Sequence, residues 1–146
     1  MSQLLQLFQS VGPEQFTATV CQVAPYFSSI QPQVTLLQPG RAEARVALRR
    51  EVTNHLGTMH AIALCNAAEL VAGTMTDASL PSGMRWIPKG MTVAYLAKVK
   101  SDITAVADGS GIDWHVPGDK VVPVRVRDAE GQEVFTADIT MNVKAA

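Results

Sequence analysis

Between Asn54 and Gly73 the chain reads NHLGTMHAIALCNAAELVAG, and the side chains in it that can do chemistry are few. From Leu56 to Thr76 the only ionisable groups besides the Cys65 thiol are His60 and Glu69. Glu69 stands among alanines, leucines and a valine, in a segment otherwise fit for a protein interior, although Glu is rarely fully buried without a partner. Surroundings poor in ions disfavour a charged carboxylate and make it a stronger base, which is what a general base or nucleophile needs. Upstream, Asn54, Gly57, Thr58 and His60 crowd the place where a helix should begin. Free backbone N–H groups and the positive end of the helix dipole can polarise a carbonyl or hold an anion there. The same residues also have plain readings: Thr58 as an N-cap, His60 as a packed histidine, Glu69 as a solvated or paired helix residue.

The side chains need a helix to carry them. At about 100° per residue, His60, Ala63, Leu64, Ala67, Val71 and Met75 share one side. Ile62, Asn66, Glu69, Gly73 and Thr76 take the other, which is small and weakly polar. Neither face suits bulk water, so protein is expected all around this helix. Glu69 lies between Asn66 and Gly73, and Gly73 leaves room for a ligand to approach the carboxylate. Leu56–Thr76 has about the length of a bilayer span. Its polar residues, and an acid near the middle, make a buried helix of a soluble protein the better assignment. The N-terminal MSQLLQLFQSVGPEQ shows no cationic n-region with a long apolar run, which points to a cytoplasmic protein.

The remaining elements follow from turn signals and periodicity. Residues 2–10 and 13–24 read as two short helices split at Gly12-Pro13, with Phe16, Val20 and Val23 on one docking face. Together they form an N-terminal helical extension, residues 1–26. Strands are expected around VTLLQ and RAEARVALRR, separated by Pro39-Gly40. SLPSGMRWIPKG reads as a connection after the long helix. MTVAYLAKV, DITAVAD, VVPVRVRDA and EVFTADITMNVK then read as strands, the last two joined by a turn at Ala129-Glu130-Gly131-Gln132. The pattern predicts a single α+β domain over residues 1–146, one long apolar helix against five or six antiparallel strands.

Composition excludes several classes. The net charge is −1, with no basic or acidic block of the kind a nucleic-acid binder carries. Cys21 and Cys65 lack the spacing of a zinc site or redox dithiol and read as reduced, packed thiols. His55, His60 and His115 give no metal-ligand spacing, and no cofactor is expected. Lys89, Lys98, Arg85 and Arg125 could meet phosphates but read more simply as solvated surface.

The spacing Asn54-x₂-Gly57-x₂-His60-x₈-Glu69 resembles the active-site helix of hotdog-fold acyl-CoA thioesterases, especially the phenylacetate-pathway type. The WIPKGMTVAYL stretch also resembles a sparsely characterised bacterial branch of that superfamily. The resemblance runs from about Phe27 to Val143. It implies a hotdog fold, pairing into a homodimer or dimer of dimers, and active sites at the subunit interface. Asn54 would orient the thioester or water, and the backbone N–H of Ala61, after His60, would hold the thioester oxygen. Glu69 of the opposite protomer would act as general base or nucleophile. Gly57, Thr58, Asn66 and Gly73 would line the substrate site, and Thr92 would supply a hydroxyl from the strand after the helix. The family has two glycines where this chain has Ala61 and Ile62, so Ile62 is expected to crowd the carbonyl or reshape the pocket. That departure also fits a second function, a non-catalytic acyl-CoA or acyl-carrier sensor. A dehydratase or hydratase of the same fold places its His and acid at other spacings.

Overall fold

Alternation, breakers and caps account for most of the elements in the computed structural model, which describes residues 1–146. In chain order these are α1 (Gln3–Val23), a 3₁₀ turn (Pro25–Ile30), β1 (Gln33–Gln38), β2 (Arg41–Val46) and a second 3₁₀ turn (Arg50–Val52). Then come α2 (Ala61–Ser79), β3 (Met84–Tyr95), β4 (Ile103–Asp108), β5 (Gly118–Asp128) and β6 (Glu133–Ala145).

α1 begins at Ser2, whose hydroxyl accepts the Leu5 N–H at 3.0 Å. It has two arms, because Gly12 sits at φ 83° and ψ 174°. That conformation is essentially restricted to glycine. Pro13 then opens the second arm, where its missing N–H costs nothing. Phe16 is fully buried, and the Thr17 hydroxyl accepts the Val34 N–H at 3.0 Å, fastening the arm to β1. The docking face is shorter than the sequence suggests. Val20 is half-buried, but Val23 is 82% exposed, at the end of an arm that Pro25 stops.

All six strands form one antiparallel sheet in the order β1-β2-β4-β5-β6-β3. In β6, Phe135, Ala137, Ile139, Met141 and Val143 are buried against α2, while Thr136, Asp138, Thr140 and Asn142 face away. The sheet curves around α2, twelve of whose nineteen residues are buried, including Leu70, Val71 and Met75. This is the α+β arrangement expected from the sequence.

The segment after α2 differs from expectation. The SLPSGMRWIPKG stretch is not all connection: its residues from Met84 onward already pair with β6, from Met84 opposite Ala145 to Tyr95 opposite Phe135. A bulge between Pro88 and Gly90 absorbs the proline. β3 ends the sheet, and an edge strand tolerates a proline because half its N–H groups need no ladder partner. No helix is long and apolar enough to cross a membrane.

Candidate active site

The start of α2 is built by a short loop. Asn54 Oδ1 accepts the backbone N–H groups of Leu56 (2.9 Å) and Thr58 (3.2 Å), and Asn54 Nδ2 donates to the Thr58 hydroxyl at 2.9 Å. Gly57 turns the chain at φ 77°, a left-handed value. A Cβ there would meet nothing within 4 Å, so Gly57 serves the turn rather than making space. Asn54 and Thr58 are thus committed to holding the loop, and Thr58 is buried rather than capping.

The cap is His60. Its Nδ1 accepts the Ile62 N–H at 3.0 Å, which leaves the ring proton on Nε2, directed away from the helix. Ala63 and Leu64 donate to the His60 carbonyl at 3.0 and 3.3 Å. The one N–H of this first turn without a partner in the chain is that of Ala61. Ala61 is half-buried, and an unpaired N–H at a helix start, with the positive end of the dipole behind it, is able to donate to a negatively charged oxygen. Ile62 is 52% exposed.

Glu69 is half-buried and joins no ion pair or hydrogen bond within the chain. It stands on the wall of a cavity of about 440 Å³ between the two arms of α1, α2 and the first residues of β3. Leu4, Leu7, Val20 and Phe27 contribute to the opposing walls, and Glu69 is the one ionisable group among the lining residues.

Other residues fall differently. The space over Gly73 is already filled: a Cβ there would meet Trp86 Cη2 at 3.0 Å, and the indole is anchored by donating to Asp77 Oδ2 at 3.2 Å. Gly73 therefore admits Trp86, and it lines the same cavity as Glu69. Asn66 donates from Nδ2 to the Ser29 hydroxyl at 3.2 Å, bracing the 3₁₀ turn, while its Oδ1 is buried without a partner. Thr92 pairs with Asp138 and so faces away from α2; the bulge before it sets that register. On the helix side of β3 the hydroxyl is that of Tyr95, stacked on Phe135 and lying beside Cys65. Burial pushes the Cys65 thiol above its ordinary value, which keeps it protonated and a poor nucleophile. Trp86 and Tyr95 both lie in the WIPKGMTVAYL stretch, but only strand register shows that they reach the helix.

Within one chain the parts do not meet. Eight residues at 1.5 Å each separate the Ala61 N–H from Glu69 by about 12 Å along the helix axis.

A long helix wrapped by one antiparallel sheet of six strands is the hotdog fold. The chain superimposes on a thioesterase from Haemophilus influenzae with a TM-score of 0.78, at 16% identity, over 90% of each chain. It also superimposes on a thioesterase family protein from Silicibacter pomeroyi, with a TM-score of 0.75 at 15% identity, over 88% of this chain and 96% of that one. At these identities the likeness is one of fold. A crystal structure solved as a genomics target is far nearer, at 60% identity and a TM-score of 0.90 over 99% of this chain and 97% of the other. Residues 12–143 match the domain of unknown function DUF4442, and the chain belongs to that family. None of the curated proteins matches it.

Proposed function

We propose that this protein hydrolyses acyl-CoA or related thioesters at a site shared between two copies of the chain. The observation that carries the reading is the pair of unpartnered groups on α2, the Ala61 N–H and the Glu69 carboxylate, too far apart to serve one carbonyl within a single chain. Pairing of two copies along β3 would lay the two α2 helices side by side and bring Glu69 of each to the start of the other. The open edge of β3 supports this. Ile87, Met91 and Tyr95 are exposed along it, with Leu56 and Ile62 exposed near the start of α2. A long apolar edge of this kind calls for a partner.

The step then runs as follows. Glu69 takes a proton from water while the water oxygen attacks the thioester carbon. The carbonyl electron pair moves onto oxygen, where the Ala61 N–H of the other copy stabilises it. Collapse breaks the C–S bond, and the departing thiolate takes the proton back from Glu69, leaving a free acid and a free thiol. If Glu69 itself attacks, an anhydride forms and water opens it; only that route can leave oxygen-18 from labelled water in the Glu69 side chain. Asn54, Thr58 and His60 act on the substrate indirectly, by fixing where the Ala61 N–H points.

The test is free-thiol release from short, medium, long and aromatic acyl-CoAs, wild type beside Glu69→Gln. Release by the wild type and its loss in the variant, with the fold kept, is the expected result. Equal turnover by both would remove Glu69 from the mechanism, and no release by either from any substrate would remove hydrolysis.

A further inference from the structure

The cavity between α1 and α2 has a shape and lining that name a ligand more closely than the catalytic parts do. We propose that it holds the aliphatic chain of the acyl group and that the two arms of α1 set the chain length accepted, an inference that rests on the thioesterase reading of Glu69. The carboxylate stands on the cavity wall, so an acyl chain entering there leaves its thioester carbon beside the base. Leu4, Leu7, Val20 and Phe27 offer hydrocarbon opposite it. The two hydroxyls in the lining are turned back onto their own helices: Thr19 donates to the Gln15 carbonyl at 3.0 Å and Thr74 to the Leu70 carbonyl at 2.8 Å. With the Trp86 N–H also given to Asp77, a second carboxylate on the chain would find no free side-chain donor in the lining apart from the exposed Gln3, and burying it unpaired is costly.

Size narrows the class further. A volume of about 440 Å³ has room for roughly ten to fifteen groups the size of a water or methylene, at ~30 Å³ each. Acetyl would leave most of it empty, and a medium-length unbranched chain fills it. The first arm of α1 also lies outside the region shared with the family, which begins at residue 12, the glycine at the joint. Leu4 and Leu7 therefore form a wall outside the stretch matched to the family.

The experiment measures binding of S-alkyl-CoA thioethers, which cannot be hydrolysed, to the Glu69→Gln protein by calorimetry, with butyl, octyl, dodecyl and hexadecyl chains. Affinity should rise about fourfold per methylene while the chain stays inside the cavity and then level off. Val20→Trp, which fills the cavity, should bring the plateau to a shorter chain, and Phe27→Ala, which deepens it, to a longer one. Opposite displacements separate a change of volume from a loss of folding. Affinity independent of chain length, or a plateau unmoved in both variants, would overturn the chain site. Chain-length-dependent binding by a wild type that releases no thiol would keep the chain site and remove hydrolysis, so the two readings fail separately.

Discussion

Ala61→Pro isolates the proposed oxyanion donor. Ala61 is the first residue of α2, and its N–H has no partner in the chain. Proline is favoured at a first helical position because the N–H it removes is unused there. The preceding residue is also compatible, since His60 has ψ 137°, the extended value that a residue before proline requires. The substitution should leave Tm nearly unchanged. Loss of one oxyanion donor costs about 10²–10³ in kcat, or ~2.7–4 kcal/mol. Thiol-release kinetics beside a thermal melt therefore give a sharp expectation: turnover falls by at least two orders of magnitude while the melt holds. Turnover within a few-fold of wild type would refute the oxyanion assignment, and a large drop in Tm would refute the premise that this N–H is idle. Mixing makes the test one of assembly as well. When Ala61→Pro and Glu69→Gln chains are refolded together, random pairing makes half the dimers mixed, each with one intact site of two. About a quarter of wild-type activity should return if two copies share each site. No recovery would place the chemistry within one chain.

Three further outcomes follow from the same geometry. His60→Ala removes the cap on Ile62 and should cost about 1 kcal/mol, whereas His60→Asn, with a good capping side chain, should restore both Tm and turnover; turnover lost in a fully stable Asn variant would give the imidazole a direct chemical part. In Gly73→Ala the helix gains about 1 kcal/mol of propensity but the new methyl presses on Trp86, an overpacking cost of about 1–3 kcal/mol. Chemical denaturation should show a net loss of stability with a shift in tryptophan emission, and a stabilised variant would contradict the packing described. Cys65→Ser should keep most of the turnover, because burial holds the thiol in its protonated, unreactive form; loss of activity in a folded variant would reopen the choice of nucleophile.

What the sequence shows well is whatever short range decides. The split of α1 is legible because Gly12-Pro13 is a local instruction, and α2 because its apolar positions repeat with the helix period. The β5–β6 hairpin is legible for the same reason, its strands alternating on either side of a turn. The isolation of Glu69 can also be seen in the bare residue string. Other features depend on distant partners. Pro88 argues against a strand until β3 is known to be an edge, which is a property of the whole sheet. Thr92 reads as available to the site until the bulge between Pro88 and Gly90 fixes it opposite Asp138, on the outer face. Gly73 reads as open space until Trp86, thirteen residues on, is seen to occupy it. Thr58 reads as the cap until Asn54 is found to hold its hydroxyl, leaving the cap to His60.

The position of β3 also governs the order in which the molecule can form. It leaves the ribosome directly after α2, but in the sheet its single neighbour is β6, the last strand to be made. Met84 pairs with Ala145 and Tyr95 with Phe135, so almost none of β3 can be laid down before β6 has been made. The first hairpin and α2 emerge early, and the flank of α2 at Gly73 lacks the Trp86 indole until β3 is paired. α2 is thus completed before β3 can be laid against it, and a chain lacking β6 loses the cavity wall that Trp86 and Pro88 supply as well as a sheet edge. Closure of the cavity therefore waits on β6, so residues remote from Glu69 in sequence decide when its walls can form.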